Sequence, residues 1–282
     1  MSNILVSVIV PTKNSAQFLD ACLLSIKEQA YKNIELIVVD NFSTDDTQAI
    51  TRKYTDKVFV IGPERCTQRN YGAIRATGEF IVFIDSDMTL SQNVIKSCVK
   101  KMNDSSYKGI IIPEESFGKG FWAQCKKLER SFYVGVDAIE AARFFRKEDF
   151  DKVGGYNEAL ISGEDWDLSD RVEMTGPLER ITDYIFHNEG KISLLQTLKK
   201  KYYYAQKAGA YLRETRTIPT AKKRKMGVVG RYWLYLKQPV KLFRNPFVGI
   251  GMLWMKTFEF GTAIVSLIQF NLIKITSIHD KK

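Results

Sequence analysis

The chain has 282 residues and a formal net charge of +10. This length suits one large domain with an appendage, and the ordinary globular composition excludes a disordered or collagen-like chain. The charge is divided unevenly: residues 191–282 hold 19 Lys and Arg against 3 Asp and Glu, a net charge of +16, whereas residues 1–190 carry −6. This division predicts an acidic domain that uses carboxylates and a basic region that faces an anionic partner.

The first 115 residues alternate apolar runs with amphipathic helical patterns. The runs that predict strands are ILVSVIVP (4–11), IELIVVD (34–40), KVFVI (57–61), EFIVFID (79–85) and GIIIP (109–113). Helical patterns separate these runs, the clearest in residues 15–30, where the apolar positions share one face. The β-α-β-α order predicts an α/β fold with a doubly wound, mostly parallel sheet flanked by helices.

Acidic residues follow two of these predicted strands. Asp40 ends the second strand, and Asp85 and Asp87 stand at the end of the fourth. Ligands of doubly wound sheets bind beyond the carboxyl ends of the strands. Two neighbouring carboxylates repel each other unless a cation or fixed donors join them. The pattern alone leaves two interpretations: a ligand site, or a polar strand end followed by a helix that Ser91 caps.

Residues 116–190 are less regular. The segment GEDWDLSDRVEM (163–174) predicts a helix entered through acidic residues, which suits the positive end of the helix dipole. The segment RITDYIFHNEG (180–190) predicts a strand that ends at His187.

The region after residue 190 has a different character. LLQTLKKKYYYAQKAGAYLRE (194–214) predicts a basic amphipathic helix, and AKKRK (221–225) is a run of positive charge. Residues 247–270 are apolar except for Lys256 and Glu259, which share a helix face as a candidate ion pair. A membrane span requires about 20 apolar residues with few charges, so an interfacial helix or re-entrant hairpin fits better. The alternative is an ordinary helix on the catalytic domain with this pair at the surface.

Four sequence blocks together resemble a known family. VSVIVPTKNS, LIVVDNFSTDDT, QRNYGAIRATGEFIVFIDSDM and GEDWDLSDRV, in this order, are similar to the family 2 glycosyltransferases with the GT-A fold. The resemblance covers about residues 4–190. It implies a GT-A catalytic domain over residues 1–190, followed by a helical, membrane-associating region over residues 191–282.

The resemblance implies a divalent cation, Mn²⁺ or Mg²⁺, that holds the diphosphate of a nucleotide-sugar donor. Carboxylates supply the hard oxygen ligands that such cations prefer. Asp87 is the expected ligand, Asp85 acts directly or through water or the ribose, and His187 matches a histidine that completes the metal site in many members. The other interpretation of His187 is a structural residue at a strand end.

The resemblance also implies a set of donor-binding residues: Pro11, Asn14, Asp40, Arg65, Arg69, Asp85, Glu164 and Trp166. Asp40 matches the acid that contacts the base or ribose, although it could instead cap its own turn. Arg65 and Arg69 match basic residues near the diphosphate, although either could be an exposed helix charge. Trp166 is expected at the acceptor pocket or in the core. Asn41 and Lys13 depart from the family pattern and weaken any assignment of the base as uracil.

Asp165 matches the family's catalytic base, which takes the proton of the acceptor hydroxyl. A single base and a metal-bound leaving group imply inversion at the anomeric carbon. The alternative is that these acids only cap a helix. The segment after Asp165 lacks the Q-x-x-R-W of processive members, so we expect transfer of a single sugar. A nucleotidyltransferase and a nucleotide-binding module without catalysis are the competing functions.

The expected partners follow from these assignments. They are a UDP-, GDP- or dTDP-linked sugar, a lipid-linked or glycan acceptor, and an anionic membrane surface. Nucleic acid is not expected, and self-association of the chain stays open. The four separated cysteines predict a reducing compartment, so we expect the protein on the cytoplasmic face of a membrane, as a peripheral or monotopic protein.

Overall fold

The computed structural model describes residues 4–103, 106–214 and 226–279, and the side chains of residues 207–214 and 270–279 lie outside this description. The predicted charge run AKKRK (221–225) also lies outside the described residues. The strands are β1 (Val6–Thr12), β2 (Ile34–Asp40), β3 (Val58–Val60), β4 (Phe80–Phe83), β5 (Met88–Leu90), β6 (Gly109–Ile111), β7 (Glu114–Lys119), β8 (Ala142–Arg146), β9 (Leu178–Arg180) and β10 (Ile185–Lys191).

Helices connect and cover these strands. They are α1 (Ala16–Lys27), α2 (Thr47–Thr51), α3 (Arg65–Arg75), α4 (Val94–Asn103), α5 (Phe121–Ser131), α6 (Lys147–Lys152), α7 (Glu164–Glu173), α8 (Leu194–Glu214), α9 (Val228–Leu236), α10 (Pro239–Phe243) and α11 (Pro246–His279). The predicted alternation of strands and helices over the first 115 residues is confirmed, and α8 has the predicted bounds.

The central sheet has seven strands in the order β3-β2-β1-β4-β8-β6-β9. All pairs are parallel except those made by β8, which runs antiparallel to both β4 and β6. The prediction of a mostly parallel sheet flanked by helices is therefore confirmed. Strand β8 was not predicted from the sequence.

Helices cover both faces of the sheet, and the side chains that alternate along each strand pack into the two layers. Val8 and Val10 of β1 belong to a core cluster that includes residues of α1 and α4. Ile9, between them, belongs to a second cluster that includes residues of α3 and α7. This packing fixes the register, so that Thr12 aligns with Asp40 at the carboxyl edge of the sheet.

A second sheet of three strands lies beside this edge, in the order β5-β10-β7. His187 lies inside β10, paired with Met88 of β5 and Ser116 of β7. The prediction of one strand over 180–190 that ends at His187 is wrong. The segment joins two different sheets, so it divides into β9 and β10, and β10 continues past His187 because strands on both sides pair with it.

The C-terminal helices pack on the α/β domain through α5. Lys256 and Glu259 of α11 form the predicted ion pair at 2.5 Å, and Lys256 also lies 2.7 Å from Glu129 of α5. Both residues of the pair are only 3% exposed, so the expectation that the pair lies at the surface is wrong. Within the described ranges, no helix combines the length and apolar character that a membrane crossing requires.

Candidate active site

A cavity of about 390 Å³ opens at the carboxyl edge of the central sheet. Its lining includes Asp85 after β4, Asp165 at the start of α7, and His187 of β10. Lys200 and Tyr204 of α8 line it as well. Two of the predicted metal-site residues, Asp85 and His187, therefore meet the predicted base Asp165 in one cavity, whose lining does not include Asp87. The C-terminal region supplies part of the cavity wall.

Arg69 connects the two sides of this cavity. Its side chain is fully buried on α3, with Nη2 2.6 Å from Asp85 Oδ1 and Nη1 3.0 Å from Asp165 Oδ1. Burial alone would lower the pKa of Arg69, but the charges of Asp165 and Asp85 outweigh it and raise that pKa. Arg69 is thus a buried residue that fixes two carboxylates and is not an exposed helix charge, and its predicted role near the diphosphate stays a prediction.

The ion pairs continue from Asp85 toward His187. Arg143 of β8 lies 3.4 Å from Asp85 Oδ2, and its Nη2 lies 2.7 Å from Glu114 Oε1. Arg130 of α5 pairs with the other oxygen of Glu114 and lies 3.1 Å from His187 Nδ1. Burial would raise the pKa of Glu114, but Arg143 and Arg130 together lower it to about 2. Successive contacts between acidic and basic side chains therefore connect Asp165 to His187. The order is Asp165, Arg69, Asp85, Arg143, Glu114, Arg130 and His187.

Asp87 and His187 form the pair that suits a cation. Asp87 Oδ2 lies 3.0 Å from His187 Nε2, a separation that two adjacent ligands of an octahedral ion at about 2.1 Å would have. No group of three or more acidic, histidine or cysteine side chains in the described residues could hold a metal alone. Two protein ligands suit an ion whose remaining coordination positions are filled by substrate phosphate and water, as is common for Mg²⁺.

The contacts of His187 set a condition on this pair. Arg130 can only donate to Nδ1, so Nε2 carries the proton and donates to Asp87. Binding a cation through Nε2 requires the proton on Nδ1, where Glu189 Oε1 lies at 3.6 Å. Burial would lower the pKa of His187, but the hydrogen bond and charge of Asp87 raise it.

Asp85 is placed differently from Asp87. Both of its oxygens face guanidinium groups, and these charges hold the pKa of its carboxyl well below its usual range despite the opposing effect of burial. Its role as a direct ligand stays a prediction. The contacts favour the route through water or the ribose, because a cation bound directly would have to compete with Arg69 and Arg143.

Asp165 lies in the first turn of α7. Gly163 precedes the helix with φ of 83°, a left-handed conformation that glycine adopts without strain. Asp165 Oδ1 accepts hydrogen bonds from Arg69 and from the Tyr156 hydroxyl, each at 3.0 Å. Its side chain is 26% exposed, and Oδ2 accepts no hydrogen bond from the described residues. One oxygen is thus held and the other is available to a substrate.

Glu164 has a supporting position. It is 4% exposed and lies 3.0 Å from Arg65 and 3.6 Å from Arg69. Burial and the neighbouring Asp165 raise its pKa. Arg65 itself is half-exposed at the cavity wall, where a ligand could reach its side chain. Its role near the diphosphate stays a prediction. Trp166 lines the cavity and donates its indole N–H to Ile139 O at 2.7 Å.

The other predicted donor residues lie at the ends of β1 and β2 and do not line this cavity. Asp40 is 1% exposed, and its carboxylate accepts hydrogen bonds from the Ser43 backbone and Gln48 at 2.9 and 2.8 Å. Asn14, with φ of 47°, accepts from the Thr44 backbone at 2.9 Å. Pro11 is buried within β1. These residues shape the turn at the strand ends, and their contact with a nucleotide stays a prediction.

Several cavity residues were not predicted from the sequence. They are Glu114, Arg130, Tyr133, Arg143, Lys200 and Tyr204. The sequence contains a partial indication of Arg143, because the segment ARFFR (142–146) combines arginines with aromatic residues typical of a buried strand. Arg130 and Glu114 belong to no block of the four, so only their tertiary partners identify them.

The family profile described as Glycosyl transferase family 2 matches residues 7–154. A Campylobacter jejuni GalNAc(5)-diNAcBac-PP-undecaprenol β-1,3-glucosyltransferase is 33% identical over 159 residues, which is 50% of this chain and 51% of that protein. Matches to three curated relatives cover only 15% to 51% of their own length.

Solved structures support the fold. A mannosyltransferase of Pyrobaculum calidifontis in complex with GDP-Man and Mn²⁺ has a TM-score of 0.62 at 18% identity, over 93% of this chain and 86% of that one. Staphylococcus aureus TarS 1-349 in complex with UDP-GlcNAc has a TM-score of 0.52 at 17% identity, over 95% and 92% of the two chains.

Fold and site together define an α/β protein of the GT-A type, with a cavity at the carboxyl edge of its sheet that is lined by both acidic and basic side chains. The chain belongs to glycosyl transferase family 2. The predictions of fold and family are confirmed.

Proposed function

We propose that the protein is an inverting, metal-dependent glycosyltransferase that moves one sugar from a nucleotide-sugar donor to an acceptor hydroxyl. The observation that carries the proposal is the shared contact of Asp85 and Asp165 with Arg69 at one cavity. A single guanidinium thereby sets the distance between the donor side and the acceptor side, which is what a displacement between two substrates requires.

Asp165 acts as the general base in this proposal. Its Oδ1 is fixed by Arg69 and Tyr156, so Oδ2 is left to take the proton of the acceptor hydroxyl. The acceptor oxygen attacks the anomeric carbon as the bond to the diphosphate breaks, and the nucleoside diphosphate leaves. One displacement at this carbon inverts its configuration.

Asp87 and His187 hold the divalent cation, Mn²⁺ or Mg²⁺, in this proposal. When bound, the cation neutralises the charge on the diphosphate leaving group. Arg65, at the cavity wall, supplies a further positive charge, and Glu164 holds it there at 3.0 Å. Asp85 accepts from Arg69 and Arg143 and keeps both guanidinium groups in place.

Donor and acceptor are proposed by class. A UDP-, GDP- or dTDP-linked sugar fits a site that combines carboxylates for a cation with arginines for phosphate, and the solved relatives are named as complexes with GDP-Man and UDP-GlcNAc. A lipid-linked acceptor agrees with the undecaprenol in the name of the Campylobacter relative and with the net charge of +16 in residues 191–282. We assign residues 1–190 to catalysis and 191–282 to association with the cytoplasmic face of a membrane.

A donor screen tests the proposal. Thermal stabilisation and transfer are measured with UDP-, GDP- and dTDP-sugars, with Mn²⁺ or with EDTA, and the anomeric configuration of the product is read by NMR. We expect one donor to stabilise the protein in the presence of the cation and to give an inverted product.

Two outcomes would replace the proposal. Formation of a nucleotide sugar from a sugar phosphate would identify a nucleotidyltransferase. Tight donor binding without transfer or hydrolysis, over a range of lipid-linked acceptors, would identify a binding module without catalysis.

A further inference from the structure

Helix α11 presents an unusual division of side chains. Its inward residues include the charged Lys256 and Glu259, each 3% exposed, and the fully buried Ser266. Most of its exposed residues are apolar and fall on one side of the helix, as one helical stripe does, and Thr257 and Gln269 are exposed polar residues beside them. This stripe consists of Phe247, Ile250, Trp254, Phe258, Ile264, Val265 and Ile268, all between 44% and 80% exposed.

The stripe extends along about 30 Å of helix, since each residue advances 1.5 Å. Helices α9 and α10 add apolar side chains that are equally exposed, with Trp233 at 60%, Leu236 at 54% and Val240 at 86%. Together we call the stripe and these three residues the apolar face. Polar groups turned inward and large apolar groups turned outward indicate a surface that another apolar medium covers.

The charges around the apolar face indicate what kind of partner covers it. Lys237 and Arg244, which follow α9 and α10, are exposed. The Lys237 Nζ lies 5.3 Å from the centre of the Trp233 ring. Among residues 226–269, the one acidic side chain is Glu259, which is buried. Basic residues beside tryptophan and aliphatic groups match an anionic lipid surface, where aromatic rings occupy the headgroup level.

A second copy of the chain fits the apolar face less well than a lipid surface does. A two-fold interface places the same surface on both subunits, so the positive charges would be doubled, with no exposed carboxylate in residues 226–269 to pair with them.

We propose that the apolar face of α9, α10 and α11 lies flat in one leaflet of an anionic bilayer. The protein is then monotopic, with α11 parallel to the membrane plane and its charged side turned toward α5. Helix α8 links this face to the cavity: the Ser266 hydroxyl donates to Tyr202 O at 2.8 Å, and Lys200 and Tyr204 of the same helix line the cavity. The cavity is thereby held beside the membrane, within reach of a lipid-linked acceptor.

This inference refines the membrane location in the proposed function and rests on that proposal for its acceptor. Its test needs neither donor nor acceptor, so the two fail independently. Flotation is measured for the full chain with vesicles of phosphatidylcholine alone or mixed with phosphatidylglycerol. We expect flotation with the anionic vesicles, partly resistant to high salt because the apolar contribution is not screened.

Variants locate the contact. Phe247→Ser/Trp254→Ser should weaken vesicle binding by about tenfold or more, since two aromatic side chains leave the lipid. Lys237→Gln/Arg244→Gln should weaken binding to the anionic vesicles alone, by roughly fivefold for each charge removed. Ile74→Ser is the matched control, because Ile74 is 74% exposed on α3, outside the apolar face; its binding should equal that of the unaltered chain.

Three results would overturn the inference. The full chain could remain unbound with anionic vesicles, or the Phe247→Ser/Trp254→Ser variant could float as well as the unaltered chain while retaining its thermal transition. Sedimentation could also reveal a dimer that this variant abolishes, which would assign the face to a second copy.

Discussion

Arg69 Nη1 lies 3.0 Å from Asp165 Oδ1, although the two residues are 96 positions apart in the chain. Arg69 has no exposed surface, and its other terminal nitrogen contacts Asp85 at 2.6 Å. A buried cation between two carboxylates stabilises the fold only while all partners remain, because each lone charge in the interior is costly. The relationship therefore makes site geometry and stability depend on the same side chain.

Replacing Arg69 by Met should lower the free energy of unfolding by about 3–5 kcal/mol, the usual effect of removing one partner from a buried pair. Urea unfolding measures this. Arg65→Met is the control on the same helix: Arg65 is 45% exposed, so its pair with Glu164 should contribute less than about 1 kcal/mol. Equal losses in the two variants would contradict a central role for Arg69.

Asp165→Asn preserves the shape of the side chain and removes its basicity. Turnover should fall by about 10²–10⁴-fold while donor affinity, measured by calorimetry, stays within a few-fold. Tyr156→Phe removes one of the two donors to Oδ1 and should have a smaller effect on turnover. A loss of donor affinity without a loss of turnover per bound donor would make Asp165 a binding residue.

Asp87→Ala should abolish transfer, since a cation at the leaving diphosphate is worth several kcal/mol. Binding of Mn²⁺ to the protein–nucleotide complex, followed by its paramagnetic signal, gives a readout that does not depend on turnover. His187→Ala should weaken Mn²⁺ binding less than Asp87→Ala. Full activity in EDTA would exclude the proposed cation, and unchanged Mn²⁺ affinity in His187→Ala would return His187 to a structural role.

Lys200 and Tyr204 of α8 should contact the acceptor when it is bound. Lys200→Ala should raise the KM for an anionic, lipid-linked acceptor by about tenfold or more, as the loss of one hydrogen bond to a charged group does. The KM for the donor should remain unchanged. Lys199→Ala is the matched control, because Lys199 neighbours Lys200 and does not line the cavity. An increase confined to the donor KM would move Lys200 to the donor site.

Glu35 should make stability depend on pH in the acid range. Burial would raise its pKa, but hydrogen bonds from Lys57, Ser7 and Thr77 lower it from 4.5 to about 2. Because the folded pKa lies below the unfolded one, this stabilisation is present above pH 4.5 and is lost as the pH falls toward 2. Thermal unfolding between pH 7 and 3 should therefore show a shallower acid decline for Glu35→Gln. An identical decline in both proteins would contradict this assignment.

The sequence predicted the elements whose signal is local. Strand β2 has the predicted bounds of 34–40, because an apolar run enclosed by polar residues is a property of the segment alone. Strand β8 was missed because its place depends on pairing with β4 and β6, which are distant in sequence. Periodicity carries no information on such pairing.

The environment of Arg69 shows the same limit within the site. A helical pattern and the block QRN predicted a charged residue near the phosphates, but its burial depends on Asp85 and Asp165 from two other elements. Asp87 and His187 could be paired from family resemblance. The proton arrangement between them depends on Arg130, which the sequence blocks do not contain.

The ion pair between Lys256 and Glu129 has a consequence for engineering this protein. A shortened version that ends before α11 would leave Glu129, only 2% exposed, with Lys126 at 2.9 Å as its remaining ionic partner. Transplanting the C-terminal helices onto another domain would keep the pair of Lys256 and Glu259 but remove its partners on α5, Glu129 and Lys126. A functional chimera should therefore exchange α5 together with α11, so that the unit of exchange is defined by charge pairing and is discontinuous in the chain.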